Sequence, residues 1–159
     1  MEKYEELGFA SETYFEFPNI INLEVYRGSC PCQCVHCPVG RVAVSERPER
    51  FGIMAISMPL FRKGVDEMSR WPHSTVRLHS VGEPILWDEL IPAISYLKKS
   101  GVRSWIFTSL VTNRTEILEA LCRYCDIVEV SVNSASEEDY RATKGVDQYT
   151  LVTKNIGYM

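Results

Sequence analysis

Four short runs rich in β-branched and aromatic residues, at 20–27, 75–80, 102–108 and 127–132, alternate along this chain with stretches whose apolar residues have helical spacing. That alternation constrains the fold more than any other feature. A parallel strand is reached only through a crossover long enough to hold a helix, so successive strand–helix units predict an α/β fold with a parallel sheet. The first helix is predicted from Ser57, a capping residue, through Pro59 in its first turn to about Arg70, where Trp71-Pro72 stops it. The second covers 88–100, turns Leu90, Ile91, Ile94 and Leu97 to one side and ends in Lys98, Lys99 and Gly101. The third starts at 113–115, carries Ile117, Leu118 and Leu121 inward and ends near Tyr124; a fourth begins at Ser136 and is interrupted near Lys144-Gly145. Right-handed crossovers curl such a sheet toward a barrel whose reactive groups lie in loops at the carboxyl ends of the strands.

At 159 residues the chain has the size of one compact domain, and no linker or internal repeat divides it. Residues 1–19 read as an N-terminal extension and 20–159 as the domain. A formal charge of −4 offers no basic face to displace counterions from phosphates, so no nucleic-acid partner is expected. No window supplies the roughly 18 apolar residues of a membrane span, and the acidic amino terminus lacks the apolar core of a signal peptide. These features predict a cytoplasmic protein. There thiols stay reduced, and clustered cysteines serve as metal ligands more often than as disulfides.

Cys30, Cys32, Cys34 and Cys37, four of the six cysteines, share one short loop after the first strand. Cys30, Cys34 and Cys37 have the spacing C-x3-C-x2-C, with which a single loop can hold three corners of a cuboidal iron-sulfur cluster. Three ligands leave the fourth iron open to bind and activate a small molecule, whereas a four-thiolate cluster is generally limited to electron transfer. Cys32 is then surplus, an idle thiol expected to face away from the other three.

With His36 next to Cys37, the loop resembles the C-x3-C-x-aromatic-C loop of the radical S-adenosylmethionine enzymes. Val81-Gly82-Glu83-Pro84, after the second strand, is similar to the Gly-Gly-Glu-Pro motif with which that family holds the methionine amino group, and the run VSVNSASEEDYRATKG at 130–145 resembles its fourth strand and following loop. The resemblance covers residues from about 20 to 159. It implies a partial (β/α) barrel with about four of six strand–helix units present, so the chain is expected to stop before the fifth strand and its glycine-rich adenine contact. It implies a [4Fe-4S] cluster on Cys30, Cys34 and Cys37, and S-adenosylmethionine held by His36, Val81, Gly82, Glu83, Pro84, Ser109, Ser131, Asn133 and Arg141. Thr108-Ser109-Leu110 stands where many relatives have Thr-Asn-Gly; Ser131 and Asn133 would meet the ribose, and Arg141 the methionine carboxylate. The resemblance also implies a one-electron donor such as ferredoxin or flavodoxin, and cleavage of the cofactor to a 5'-deoxyadenosyl radical that takes hydrogen from a substrate. It identifies neither that substrate nor a catalytic residue. The unpaired edge of the fourth strand predicts self-association or completion by a missing carboxyl-terminal segment.

Two rival readings stand beside this one. Cys34-x2-Cys37 and Cys122-x2-Cys125 have the spacing of a structural zinc site in a binding module. Zinc leaves Cys30 and the Gly82-Glu83-Pro84 turn without a role, and Cys122 and Cys125 end an apolar-striped helix where Cys often acts as a small hydrophobe. The other rival is a non-catalytic, cluster-binding remnant. His73 is predicted to be a solvated turn residue, and His79 a hydrogen-bonded residue aimed at the barrel interior. Glu83 is expected to fix its turn by accepting backbone N–H bonds. Arg41, Arg47 and Arg50 follow the cysteines in a long loop, either solvated or forming a lid over an anionic substrate.

Overall fold

The computed structural model describes residues 17–79 and 81–159. Its strands are β1 (Ile20–Leu23), β2 (Tyr26–Arg27), β3 (Met54–Ala55), β4 (Thr75–Leu78), β5 (Arg103–Thr108) and β6 (Ile127–Val130). The helices are α1 (Arg47–Phe51), α2 (Met58–Met68), α3 (Leu90–Lys99), α4 (Thr115–Tyr124), α5 (Glu137–Lys144) and α6 (Tyr149–Tyr158). Four strands form a parallel sheet in the order β1-β4-β5-β6, so β1 and β6 are its edges. The chain is therefore an α/β protein of the partial (β/α) barrel kind.

Alternation along the strands separates two faces. In β4 and β5 the buried residues Val76, Leu78 and Ile106 join the core, while Arg77, Trp105 and Phe107 on the other face are half-buried. Helices cover the first face through stripes at helical spacing: Phe61, Val65 and Met68 from α2, Leu90, Ala93, Ile94 and Leu97 from α3, and Ile117, Leu118 and Leu121 from α4. Pro92 falls in the first turn of α3, where a missing N–H leaves no bond unmade. On the second face the Arg77 guanidinium lies 4.5 Å over Trp105 and reaches Glu129 on β6 at 3.1 Å.

The run 20–27, predicted as one strand, is two. After Leu23 the chain leaves the parallel sheet, and Tyr26–Arg27 pairs antiparallel with Met54–Ala55. The break is held from both sides: the Val25 carbonyl accepts the Ile56 N–H at 3.0 Å, and the Glu24 carboxylate accepts the Val81 N–H at 3.0 Å and pairs with Arg27. The strand predicted at 75–80 ends at Leu78, with Ser80 outside the described residues, as is most of the extension at 1–19. His73 differs from its prediction as well. It is half-buried, with Nε2 3.2 Å from the Phe17 carbonyl and its ring edge-on to Trp71. No helix among the described residues is long and apolar enough to cross a membrane.

Candidate functional site

At the carboxyl ends of the strands lies a cavity of about 700 Å³. The loop after β2 contributes Cys30, Cys32, Cys34, His36 and Cys37; the loop after β4 contributes Val81, Gly82 and Glu83; the end of β5 contributes Ser109; the segment after β6 contributes Ser131 and Asn133. Side chains singled out on four separate segments of the sequence thus share one wall. Two do not. Pro84 is buried in the short 3-10 turn at Pro84–Leu86, and Arg141 is an exposed residue of α5 that pairs with Asp147 at 3.2 Å.

The cysteine loop and the Gly82 loop are fastened backbone to backbone. Gly28 donates to the Val81 carbonyl and Glu83 donates to the Ser29 carbonyl, each at 2.8 Å. A Cβ at Gly82 would stand 3.0 Å from the carbonyl oxygens of Ser29 and Tyr26, so any larger residue would crowd this close approach and press the two carbonyls back by a few tenths of an ångström. On its other flank the loop docks on the end of α5: Gln33 and Val35 donate to the carbonyls of Lys144 and Thr143 at 2.8 and 3.0 Å. Gly145, in the left-handed conformation at φ 65°, ends that helix with room for Gln33, whose carbonyl a Cβ would meet at 2.7 Å.

Cys32, expected to face away, is 1% exposed, lines the cavity and contacts the thiols of Cys30 and Cys34. The pattern has a period of two: Gln33 and Val35, whose N–H groups bond α5, are exposed, while Cys32 and Cys34 alternate with them and are buried, as on the two faces of a strand. Contact with Cys30, with burial adding to it, pushes the Cys32 thiol up to about 11, and contact with Cys32 and burial raise Cys34. The Lys144 charge opposes both shifts.

Glu83 ties the second loop to the third. Its carboxylate, 2% exposed, accepts from Thr108 Oγ1 at 2.6 Å, from Ser109 N and Oγ at 2.8 and 2.5 Å, and from Ile85 N at 3.4 Å. Burial raises its pKa above the ordinary carboxylate value, against the pull of the Ser109 and Thr108 hydrogen bonds. Leu110 follows at φ 57°, buried, with its carbonyl accepting from Asn155 Nδ2 at 3.0 Å. This is the left-handed geometry that the glycine of a Thr-Asn-Gly loop adopts without strain, and here a leucine is held in it. Asn133 is also left-handed, at φ 58°, which asparagine tolerates.

Sequence reasoning missed Lys144. It is 2% exposed, lines the cavity and donates to Ser131 Oγ at 3.0 Å, with no ion pair among the described residues. Its one sequence signal, a cation in the last helical turn before glycine, reads equally well as a helix stop. Tyr140, one turn earlier, is fully buried; its hydroxyl has no nitrogen or oxygen partner among the described residues and lies beside the Cys32 thiol, and burial raises its pKa. His79 lines the cavity with its ring 5.1 Å from Phe107, edge to face, rather than in a hydrogen-bonded core position; burial, then the Arg77 charge, lowers its pKa. Of the three arginines, Arg50 lines the cavity, Arg41 is exposed and Arg47 is buried beneath the loop.

Cys122 and Cys125 are elsewhere. They flank the end of α4, at the amino end of β6, and Cys125 is raised to about 12 by burial, with the Ser104 hydroxyl at the start of β5 beside it. The opposite end of the sheet carries Cys34 and Cys37, so the two C-x2-C pairs do not share a zinc site.

Among the described residues no three ligating side chains are set closely enough to hold a metal ion as they stand. The donor set nevertheless fits an iron-sulfur cluster: four unpaired soft thiols line one cavity, beside a buried cation that lacks a counter-charge among the described residues.

No protein-family model matches the chain, and no curated protein matches its sequence. Solved structures do match its fold. The crystal structure of BtrN in complex with AdoMet and 2-DOIA aligns with a TM-score of 0.60 at 18% identity, over 80% of this chain and 50% of that one. Selenomethionine BtrN in an open conformation aligns with a TM-score of 0.57 at 16% identity, over 78% of this chain and 54% of that one. The chain spans about half the length of BtrN. What these alignments share with the sheet order and the helix-covered face is the fold, a partial (β/α) barrel.

Proposed function

We propose that this chain carries the cofactor-binding half of a radical S-adenosylmethionine enzyme, with Cys30, Cys34 and Cys37 as ligands of a [4Fe-4S] cluster. The observation that carries the reading is the convergence of the cysteine loop, the Gly82-Glu83 turn, Ser109 and Ser131 on one cavity, although they lie far apart in sequence. BtrN, which has the same fold, was crystallised with AdoMet. When bound, the cluster and S-adenosylmethionine supply a one-electron cleavage that yields a 5'-deoxyadenosyl radical for hydrogen abstraction from a substrate.

The chain's own residues bind and orient. The backbone of Val81 and Gly82, held by the bond of the Val81 carbonyl to Gly28 and that of the Glu83 N–H to Ser29, receives the methionine amino group beside the cysteine loop. Glu83 is committed to Thr108 and Ser109 and braces that loop rather than acting as a base. Lys144, buried and unpaired at the cavity wall, takes the methionine carboxylate, the role the resemblance gave to Arg141, which is occupied with Asp147. Ser131 and Asn133 lie on the same wall for the ribose, and His36 at the loop for the adenine. The electron comes from a ferredoxin or flavodoxin.

Anaerobic reconstitution of single cysteine variants tests the ligand assignment. Alanine at Cys30, Cys34 or Cys37 is expected to abolish cluster loading, and Cys32→Ala to retain it. Retained iron in Cys34→Ala, or complete loss in Cys32→Ala, contradicts the assignment.

A further inference from the structure

Arg47 is 1% exposed, a charge more completely enclosed than any other at the cysteine loop. It opens α1 and spends its guanidinium on backbone carbonyls: Nη1 donates to Cys30 at 2.7 Å, Nη2 to Cys32 at 3.1 Å and Nε to Val42 at 3.0 Å. No carboxylate pairs with it among the described residues. A surface lid over an anionic substrate is therefore not its place; that expectation holds at most for Arg50, on the cavity wall.

A buried guanidinium without a counter-charge is costly, because carbonyl dipoles only partly replace its lost hydration. Holding three carbonyls does not by itself need a charge, since neutral amide donors hold carbonyls elsewhere in this fold, as Asn155 holds those of Leu110 and Thr112. Lys144 stands on the loop's other flank, buried and likewise without an acid among the described residues. Two uncompensated cations thus bracket the thiols in a chain whose overall charge is −4. That arrangement suits an anionic occupant, and a cluster carried by three thiolates is anionic and becomes more so when reduced.

We infer that Arg47 is a positioning residue for the cluster, fixing the cysteine loop through the Cys30 and Cys32 carbonyls while its charge favours the reduced state. The inference rests on the proposed cluster. Reduction adds one electron and no proton, so a fixed cation in this poorly solvated place raises the reduction potential by Coulomb attraction to the added charge.

Three proteins test it after anaerobic reconstitution: the wild-type chain, Arg47→Lys and Arg47→Met. Iron and sulfide content is measured first, then the midpoint potential of the loaded fraction by electron paramagnetic resonance during dithionite titration. In Arg47→Met the reduction equilibrium is expected to fall at least tenfold, about 59 mV for one electron. Arg47→Lys, which keeps the charge and loses the fork, is expected to load less cluster while holding a potential near wild type. An unchanged potential in Arg47→Met overturns the inference and leaves the cluster reading intact, as does an equal fall in both variants, which makes the carbonyl bonds and not the charge decisive. Should Arg47→Met fail to load, the lysine variant decides alone: a midpoint potential about 59 mV or more below wild type refutes the role of charge. Wild-type protein that takes up no iron removes both readings.

Discussion

The Lys144 ammonium donates to the Ser131 hydroxyl at 3.0 Å across the cavity wall, joining the last turn of α5 to the end of β6. The Ser131 hydroxyl in turn lies 3.3 Å from the Thr108 carbonyl, and Thr108 Oγ1 donates to Glu83, so the second, third and fourth strand ends form one connected polar chain. The only cation in that polar chain is Lys144, and no acid among the described residues neutralises it.

Replacing Lys144 should therefore weaken S-adenosylmethionine binding and leave iron in place. A charge-assisted hydrogen bond to a carboxylate contributes about 1.5–3 kcal/mol, so Lys144→Met is expected to lower affinity roughly 10- to 100-fold and Lys144→Arg by less. Arg141→Ala, on the exposed face of the same helix, should change it little. Equilibrium dialysis with labelled cofactor measures all three; a large loss with Arg141→Ala and none with Lys144→Met contradicts the assignment.

Glu83 sets a pH dependence of stability whose direction follows from its raised pKa. Below the ordinary value of 4.5 the carboxyl is protonated whether the chain is folded or unfolded, and its contribution is fully present. As pH rises above that value the unfolded chain ionises while the buried group resists, so stability is lost until the folded group also ionises. Glu83→Gln removes this titration. Denaturant unfolding from pH 4 to 8 should show wild type losing stability relative to the variant as pH rises. A gap that stays constant, or moves in favour of wild type, contradicts the burial argument.

Leu110 offers a contest between strain and packing. Its left-handed backbone costs about 1–2 kcal/mol, and glycine would relieve it. Deleting a fully buried leucine side chain costs about 2–5 kcal/mol, and glycine adds unfolded-state entropy of about 0.4–1 kcal/mol. Packing wins, and Leu110→Gly should be destabilised by about 0.4–5 kcal/mol in denaturant unfolding. A stabilised variant would mean that the strain dominates.

The parts legible in the sequence were those fixed by local pattern. Phe61, Val65 and Met68 mark the buried stripe of α2, and Val76 with Leu78 marks the inward face of β4, because helix and strand periods are properties of neighbours in the chain. The cysteine loop and the Gly82 turn were visible for the same reason. What stayed hidden depended on partners far away. The run 20–27 reads as one strand, and only Met54–Ala55, an exposed two-residue strand with no pattern of its own, pulls Tyr26–Arg27 aside. Cys32 faces the other thiols because Arg47, fifteen residues on, holds its carbonyl and α5 holds the Gln33 N–H. Arg141 and Lys144 are three residues apart in α5, and only the docking of that helix buries one and exposes the other.

Whether an iron-sulfur cluster with an open iron meets S-adenosylmethionine can be read from one spectrum taken twice. The chain is reconstituted anaerobically with iron and sulfide and reduced with dithionite, and its electron paramagnetic resonance is recorded before and after S-adenosylmethionine is added. Iron and acid-labile sulfide are expected in equal amounts, with a cluster signal that the cofactor changes and a smaller change in Lys144→Met at the same cofactor concentration. Bound zinc without sulfide, or a cluster signal indifferent to S-adenosylmethionine at any concentration, would contradict this.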